Sequence, residues 1–241
     1  MRLDIFLQTK GYVNSRSKAR ELIKNGKVLV NDSVAIKCGL DVNDGDKIEL
    51  LDVITYVSRA GHKIEGAYEE FNLSFKNLVI LDIGASTGGF CDFCLKHGAK
   101  KVYALDVGTN QLDRTLKQDK RVVDMQNTDI RNLDLGLVSD MDVFVCDVSF
   151  ISLTKISNIL SKLLDIAKYG VVLIKPQFEC GKEIAKKSKG IIKDEKVHKL
   201  VIDSVKKDFL SQAIKIEKLT TSKILGGDGN VEYLALVKKL T

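Results

Sequence analysis

No apolar run in these 241 residues approaches the roughly 18 consecutive residues that a membrane-crossing helix needs, and no basic stretch near the N-terminus leads into a continuous apolar one. Those absences predict a soluble, cytoplasmic chain with no membrane partner. The five cysteines, Cys38, Cys91, Cys94, Cys146 and Cys180, are odd in number and irregular in spacing, which argues against a disulfide framework. Cys91 and Cys94 form a C-x-x-C, yet without a second pair or nearby histidines no metal site is expected. Their place just after a glycine-rich loop predicts a helix packed on a sheet, with a redox pair as the alternative. Tryptophan is absent, and there is no internal repeat or low-complexity tract. Also missing are the Gly-Lys-Ser/Thr ending of a phosphate-cradling loop and the G-x-G-x-x-G of a dinucleotide loop.

What is present is unevenly charged. The net charge is +6, but residues 1–30 hold seven Lys/Arg against two acids, while residues 31–52 hold two Lys against six acids. That asymmetry suggests a face for a polyanion. Ser17 is placed to cap a helix whose apolar side is Ala19, Leu22 and Ile23, with Gly26 placed to end it. At roughly 100° per residue, Arg16, Arg20, Lys24 and Lys27 fall within about an 80° arc beside that stripe, a strip able to follow phosphates. Strand-like runs follow at 27–32 and 44–50. A second basic stretch, Lys182 to Lys199, carries seven lysines against three acids and reads either as an arm over a polyanion or as a solvated loop and helix.

From residue 58 on, strand-like and helix-like pieces alternate, which reads α/β. Candidate strands are 78–83, 101–106, 121–124, 142–147, 170–175, 214–219 and 232–237, forming a doubly wound sheet that binds its ligand at the switch point. In Leu78-Val-Ile-Leu-Asp82-Ile-Gly84-Ala85-Ser86-Thr87-Gly88-Gly89-Phe90, a buried strand opens into a loop of three glycines, where Gly84 can make the exit turn and Gly88 and Gly89 permit close backbone approach. The next strand ends at Asp106, whose carboxylate can accept hydrogen bonds from both ribose hydroxyls. With no pyrophosphate loop, a nucleoside such as S-adenosylmethionine fits best. The alternative is a glycine-rich connection without chemical consequence.

Four charged residues stand at element ends: Lys63, Asp147, Lys175 and Glu232. Charges ending buried strands are costly unless paired, so Asp147 and Lys175 are expected to meet at the sheet's carboxyl edge, in a structural pair or a catalytic one.

Arg2-Leu3-Asp4, Ser15 to Arg20, Leu22 to Val28, Val30-Asn31 and Gly45-Asp46 resemble the S4 RNA-binding domain over about residues 1–52. Residues 59–241 resemble the FtsJ-type 2′-O-ribose methyltransferases through Ser58 to Lys63, Asp82 to Phe90, Ala104 to Gly108, Asp147 to Ser152, Lys175 to Glu179 and Gly229 to Glu232. Together the two resemble the TlyA family. The resemblance implies a Rossmann-like class I methyltransferase sheet behind a small α+β S4-like domain, divided at 1–57 and 58–241 with a linker at about 53–61. It implies a catalytic tetrad Lys63, Asp147, Lys175 and Glu232, with S-adenosylmethionine as donor. The donor pocket is expected from Asp82, Gly84, Ala85, Ser86, Thr87, Gly88, Gly89, Asp106, Val107, Asp129, Ile130 and Asp147, with Asp129 toward the adenine amine where the family often has asparagine. RNA contacts are expected from Arg2, Arg16, Lys18, Arg20, Lys24, Lys27 and Arg59.

The implied reaction is 2′-O-methylation of a cytidine ribose in ribosomal RNA by a monomer, the large-subunit rRNA being the expected substrate and the small-subunit rRNA an additional alternative. The junction lacks the arginine-tryptophan pair of some relatives, and the chain starts directly at Met1-Arg2-Leu3-Asp4, both as in the shorter branch that modifies the large subunit. Lys175 is the candidate base, a role that requires an uncharged amine, toward which partial burial and like charges push and against which Asp147 pulls. Asp147 would orient it, and Glu232 and Lys63 would position the nucleotide. The alternatives are a non-catalytic rRNA-binding or ribosome-assembly protein, a hemolysin-like membrane-active protein, and an S4-fronted pseudouridine synthase.

Overall fold

The computed structural model describes residues 1–13, 15–51, 56–226 and 228–240. The chain forms two compact units, Met1–Thr55 and Tyr56–Thr241. Residues 53–55 of the expected linker lie outside the described residues.

The first unit consists of α1 (Leu3–Thr9), α2 (Arg16–Lys24) and the short strands β1 (Val28–Val30), β2 (Ser33–Val34) and β3 (Ile48–Leu50), with β1 central and antiparallel to both neighbours. Leu3, Phe6 and Leu7 of α1 bury against Ala19, Leu22 and Ile23 of α2 and Val28 of β1. The helix cap differs from the sequence expectation. Ser15, in extended backbone, caps α2 by accepting from the Lys18 N–H, which places Ser17 inside the first turn. Gly26, at φ +66°, takes the left-handed step after the helix. Lys27 therefore lies beyond α2, and the strip expected on one helix edge is shorter by that residue.

The second unit runs α3 (Ala60–Glu70), β4 (Val79–Ile83), α4 (Gly89–Lys96), β5 (Lys101–Leu105), α5 (Arg114–Gln118), β6 (Val122–Met125), β7 (Val143–Cys146), α6 (Ser157–Leu163), β8 (Tyr169–Ile174), α7 (Pro176–Glu179), α8 (Lys182–Lys187), α9 (Glu195–Ser211), β9 (Ile214–Thr221) and β10 (Tyr233–Lys239). The sheet order is β6-β5-β4-β7-β8-β10-β9. The first five strands in that order are parallel; β10 is antiparallel to β8 and β9, and among the described residues between β9 and β10 there is no crossover helix.

Each central strand is buried on both faces. Leu81 and Ile83 of β4 join Phe144, Val172 and Phe209 in one core, while Ile80 joins Phe93, Val145 and Leu173 in the other. Each such side chain contributes about 1.5–3 kcal/mol of burial. That uninterrupted apolar content is why these runs read as strands without alternation. Cys91 and Cys94 are fully buried on α4 among the same residues, and burial pushes both thiols up, which suits packing and not redox exchange.

Candidate active site

The switch point lies where β4 has β5 on one side and β7 on the other, and a crevice of about 770 Å³ opens at their carboxyl ends. Gly84, at φ +81°, makes the exit from β4, and a Cβ there would sit 2.7 Å from the Asp147 carbonyl oxygen. The glycine thus lets the β4 and β7 exits touch. Gly84 and Ala85 donate their N–H groups to the Leu105 carbonyl at 2.9 and 3.0 Å. Asp106 completes the brace, its Oδ2 accepting from the Ser86 N–H at 2.8 Å and its Oδ1 from the Gly108 N–H at 2.7 Å. Each carboxylate oxygen keeps a further lone pair for a ribose hydroxyl. Val107, 67% exposed, and Ile130 line the same crevice. An acceptor for a diol beside apolar walls fits a nucleoside.

Other expected donor residues are placed differently. Asp129 lines the crevice, but it caps a short 3-10 turn and pairs with Arg131, which holds its carboxyl below the usual range and occupies much of its accepting capacity. Asp82, Gly88 and Gly89 line neither this crevice nor the smaller cavity beside it. Asp82 is fully buried within β4, and among the described residues only the Cys91 backbone N–H favours its charged form. Burial, reinforced by the nearby Asp147, pushes its carboxyl well above the ordinary range, toward the neutral acid.

The smaller cavity, about 170 Å³, shares Gly84, Ser86, Asp147 and Ser149 with the crevice and adds Ser58, Ala85, Thr87, Lys63 and Lys175. Here the four charged element ends converge. Lys175 Nζ lies 2.5 Å from Asp147 Oδ1; Lys63 Nζ lies 3.7 Å from Asp147 Oδ2 and 2.9 Å from Glu232 Oε2. Their side chains are at most 12% exposed. Two ammoniums and two carboxylates therefore alternate, so that each desolvated charge faces an opposite one. Lys63 comes from the first turn of α3, Asp147 and Lys175 from the ends of β7 and β8, and Glu232 from just before β10.

Three supporting residues went unnoticed in the sequence. Ser149 Oγ accepts from Lys175 Nζ at 2.8 Å, Gln177 Nε2 donates to Glu232 Oε1 at 3.1 Å, and Asn230, 1% exposed, ties the Glu232 loop to the lysine-rich stretch through the Ile192 N–H and the Gly190 carbonyl, both at 2.8 Å. Each lies two residues from a charged element end, Asp147, Lys175 or Glu232, and that spacing was the available signal. Phe150, 91% exposed at φ +64°, stands at the crevice with its ring 5.2 Å from that of Phe178.

The expected RNA-contacting residues fall into groups. Arg2, Arg16 and Arg20 surround the buried Asp4. Lys18 pairs with Glu21 at 3.2 Å, and Lys24 and Lys27 are exposed. Arg59 belongs to the second unit and donates to the Leu225 carbonyl at 3.0 Å. Among the described residues no group of acids, histidines or cysteines is arranged to hold a metal.

A family model described as FtsJ-like methyltransferase matches residues 56–239, and one described as S4 domain matches residues 1–48. Hemolysin A of Brachyspira hyodysenteriae is 45% identical, covering 98% of either chain. The 23S rRNA (cytidine-2′-O)-methyltransferase TlyA of Campylobacter jejuni is 37% identical, covering 97% of either chain. A solved structure described as a hemolysin from Streptococcus thermophilus superposes with a TM-score of 0.74 at 37% identity, covering 99% of this chain and 88% of that one.

Proposed function

The chain belongs to the FtsJ-like methyltransferases, in the S4-bearing TlyA family, and from that membership we propose that it methylates the 2′-hydroxyl of a cytidine ribose in large-subunit ribosomal RNA, with S-adenosylmethionine as donor. The observation that carries this reading is the quartet Lys63, Asp147, Lys175 and Glu232, in which Asp147 lines both a nucleoside-sized crevice and the smaller cavity, Lys63 and Lys175 line the smaller one, and Glu232 pairs with Lys63. Residues 58–241 perform the transfer, and residues 1–57 recognise RNA. The protein works as a cytoplasmic monomer.

When bound, S-adenosylmethionine supplies an electrophilic methyl on a sulfonium, whose sulfur keeps the bonding pair on transfer. Asp106 would hold its ribose, Val107 and Ile130 its base, and the Gly84 to Thr87 loop its amino-acid end. Lys175, once its ammonium has given up a proton to solvent, takes the proton of the 2′-hydroxyl on Nζ as the oxygen bonds to carbon. Asp147 and Ser149 fix the direction of that nitrogen and receive its hydrogen bonds once it is an ammonium. Lys63, held by Glu232, steadies the hydroxyl oxygen, and Gln177 keeps Glu232 in place. Much of the acceleration comes from holding acceptor and methyl in line.

The hemolysin name of the 45% identical relative favours a second reading, lysis of membranes. No helix among the described residues is long and apolar enough to cross a membrane. Incubation with methyl-labelled donor and separated ribosomal subunits, followed by mass-spectrometric mapping, tests both readings. One 2′-O-methylcytidine in large-subunit RNA is expected. No incorporation into either subunit, together with lysis of liposomes by the protein alone, would replace the methyltransferase reading with the membrane one.

A further inference from the structure

Asp4 opens α1 with its side chain fully buried, yet three arginines reach it. Its Oδ1 accepts from Arg2 Nε at 3.0 Å. Its Oδ2 accepts from Arg16 Nε at 2.9 Å, Arg20 Nε at 2.8 Å and a terminal nitrogen of Arg2 at 3.3 Å. One buried carboxylate needs one cation to be neutralised; this one has three, leaving a surplus of two positive charges at one spot. Arg16 and Arg20 approach through Nε alone, and among the described residues their terminal nitrogens donate to no protein group. The Arg2, Arg16 and Arg20 side chains stay 47%, 42% and 48% exposed although each touches a group with no exposure. The inner edge of each guanidinium is thus committed and the outer edge is left to solvent.

We propose that Asp4 is a positioning residue for RNA: it grips the inner edges of Arg2, Arg16 and Arg20 so that their outer edges form a fixed fork for adjacent phosphates of structured RNA. The proposal rests on the RNA-binding reading of the N-terminal unit and deepens it. Only arginine can serve here, because a guanidinium presents donors on two edges while an ammonium is a single point. The fixed geometry removes the rotamer entropy that long side chains otherwise lose on binding. The same three cations hold the Asp4 carboxyl well below the usual carboxylate range, so the grip persists at all physiological pH.

The test turns on a sign. Asp4→Asn removes a negative charge and leaves every arginine, so charge attraction alone predicts tighter RNA binding. Positioning predicts weaker binding. With the full-length protein and a large-subunit rRNA transcript, fluorescence titration at several salt concentrations is expected to show roughly tenfold weaker binding for Asp4→Asn, and a salt slope smaller by about 1 for each phosphate that is no longer gripped. Equal or tighter binding by a variant whose circular dichroism and melting match wild type overturns the proposal. Should Asp4→Asn fail to fold, the double variant Arg16→Lys with Arg20→Lys decides: it keeps all charge, is expected to lose affinity and slope similarly, and overturns the proposal if both are unchanged. Replacing Arg2, Arg16 and Arg20 together by Gln separates the two failures. Normal binding by that triple variant refutes the RNA reading of this face, whereas its loss beside a normal Asp4→Asn refutes positioning alone.

Discussion

Two aspartates organise lysines or arginines in this chain, and they do so to opposite ends. Asp147 belongs to a buried, charge-balanced quartet whose members are at most 12% exposed. Asp4 is wholly buried but is outnumbered by three arginines that remain nearly half exposed. Balance and desolvation suit proton exchange at one chosen atom, because no outside ion competes for the site. Surplus and exposure suit attraction of a polyanion, because the unspent charge faces water. A buried carboxylate alone therefore says little about function; the number and exposure of its cations decide.

The largest effect that would sharpen this contrast is expected from Lys175→Ala. Turnover measured with labelled donor should fall about 10²–10⁴-fold while calorimetric donor affinity stays near wild type, and full turnover would remove Lys175 from the role of base. Next is salt. If the three arginines each meet one phosphate, raising salt from about 50 to 200 mM should weaken RNA binding roughly 20- to 40-fold, with turnover at saturating RNA unmoved because the buried quartet is little screened. A salt-sensitive turnover at saturation would erase the distinction.

Smaller effects test packing. Gly84→Ala should destabilise by more than the about 1–2 kcal/mol of a left-handed alanine, since its Cβ also meets the Asp147 carbonyl at 2.7 Å. Gly11→Ala, at φ +76° with nothing within 4 Å, should cost only that backbone term, and urea unfolding can compare the two.

The smallest concerns pH. The depressed Asp4 carboxyl contributes stability that is present above the ordinary value of 3.8 and is lost as pH falls through its lowered value. Asp82 is opposite: its raised carboxyl contributes stability that is full below 3.8 and is lost as pH rises through its elevated value. Asp82→Asn should therefore gain on wild type in urea midpoint between about pH 5 and 8, whereas Asp4→Asn should lose least in acid. An Asp82→Asn deficit that grew with pH would show that the carboxylate is used in its charged form.

The edge strands β6 and β9 are partly exposed and were legible from the alternation of strand-like and helix-like pieces. The other five of the seven long strands, β4, β5, β7, β8 and β10, were legible because a strand buried on both faces must be a short apolar run bounded by turn residues, and that requirement is local. The glycine loop and the four charged element ends were legible for the same reason. Ser15 displaced Ser17 as a cap because the choice depends on which residue adopts extended backbone, which two candidate serines in one stretch do not reveal. Asp82 was expected at the pocket from its place beside the loop, yet the pleat turns it into the protein.

The sequence by itself determined the two kinds of unit, the strand and helix succession and which charged residues stand at the ends of elements, since each follows from the spacing of apolar, glycine and charged residues along a short stretch. Only the tertiary structure decided who faces whom: that Lys63 bridges Asp147 and Glu232, that Ser149 and Gln177 support them, and that three arginines share Asp4. Electrostatic and hydrogen-bond energies depend on distances through space, and those distances are set by strand order and helix packing between segments far apart in the chain.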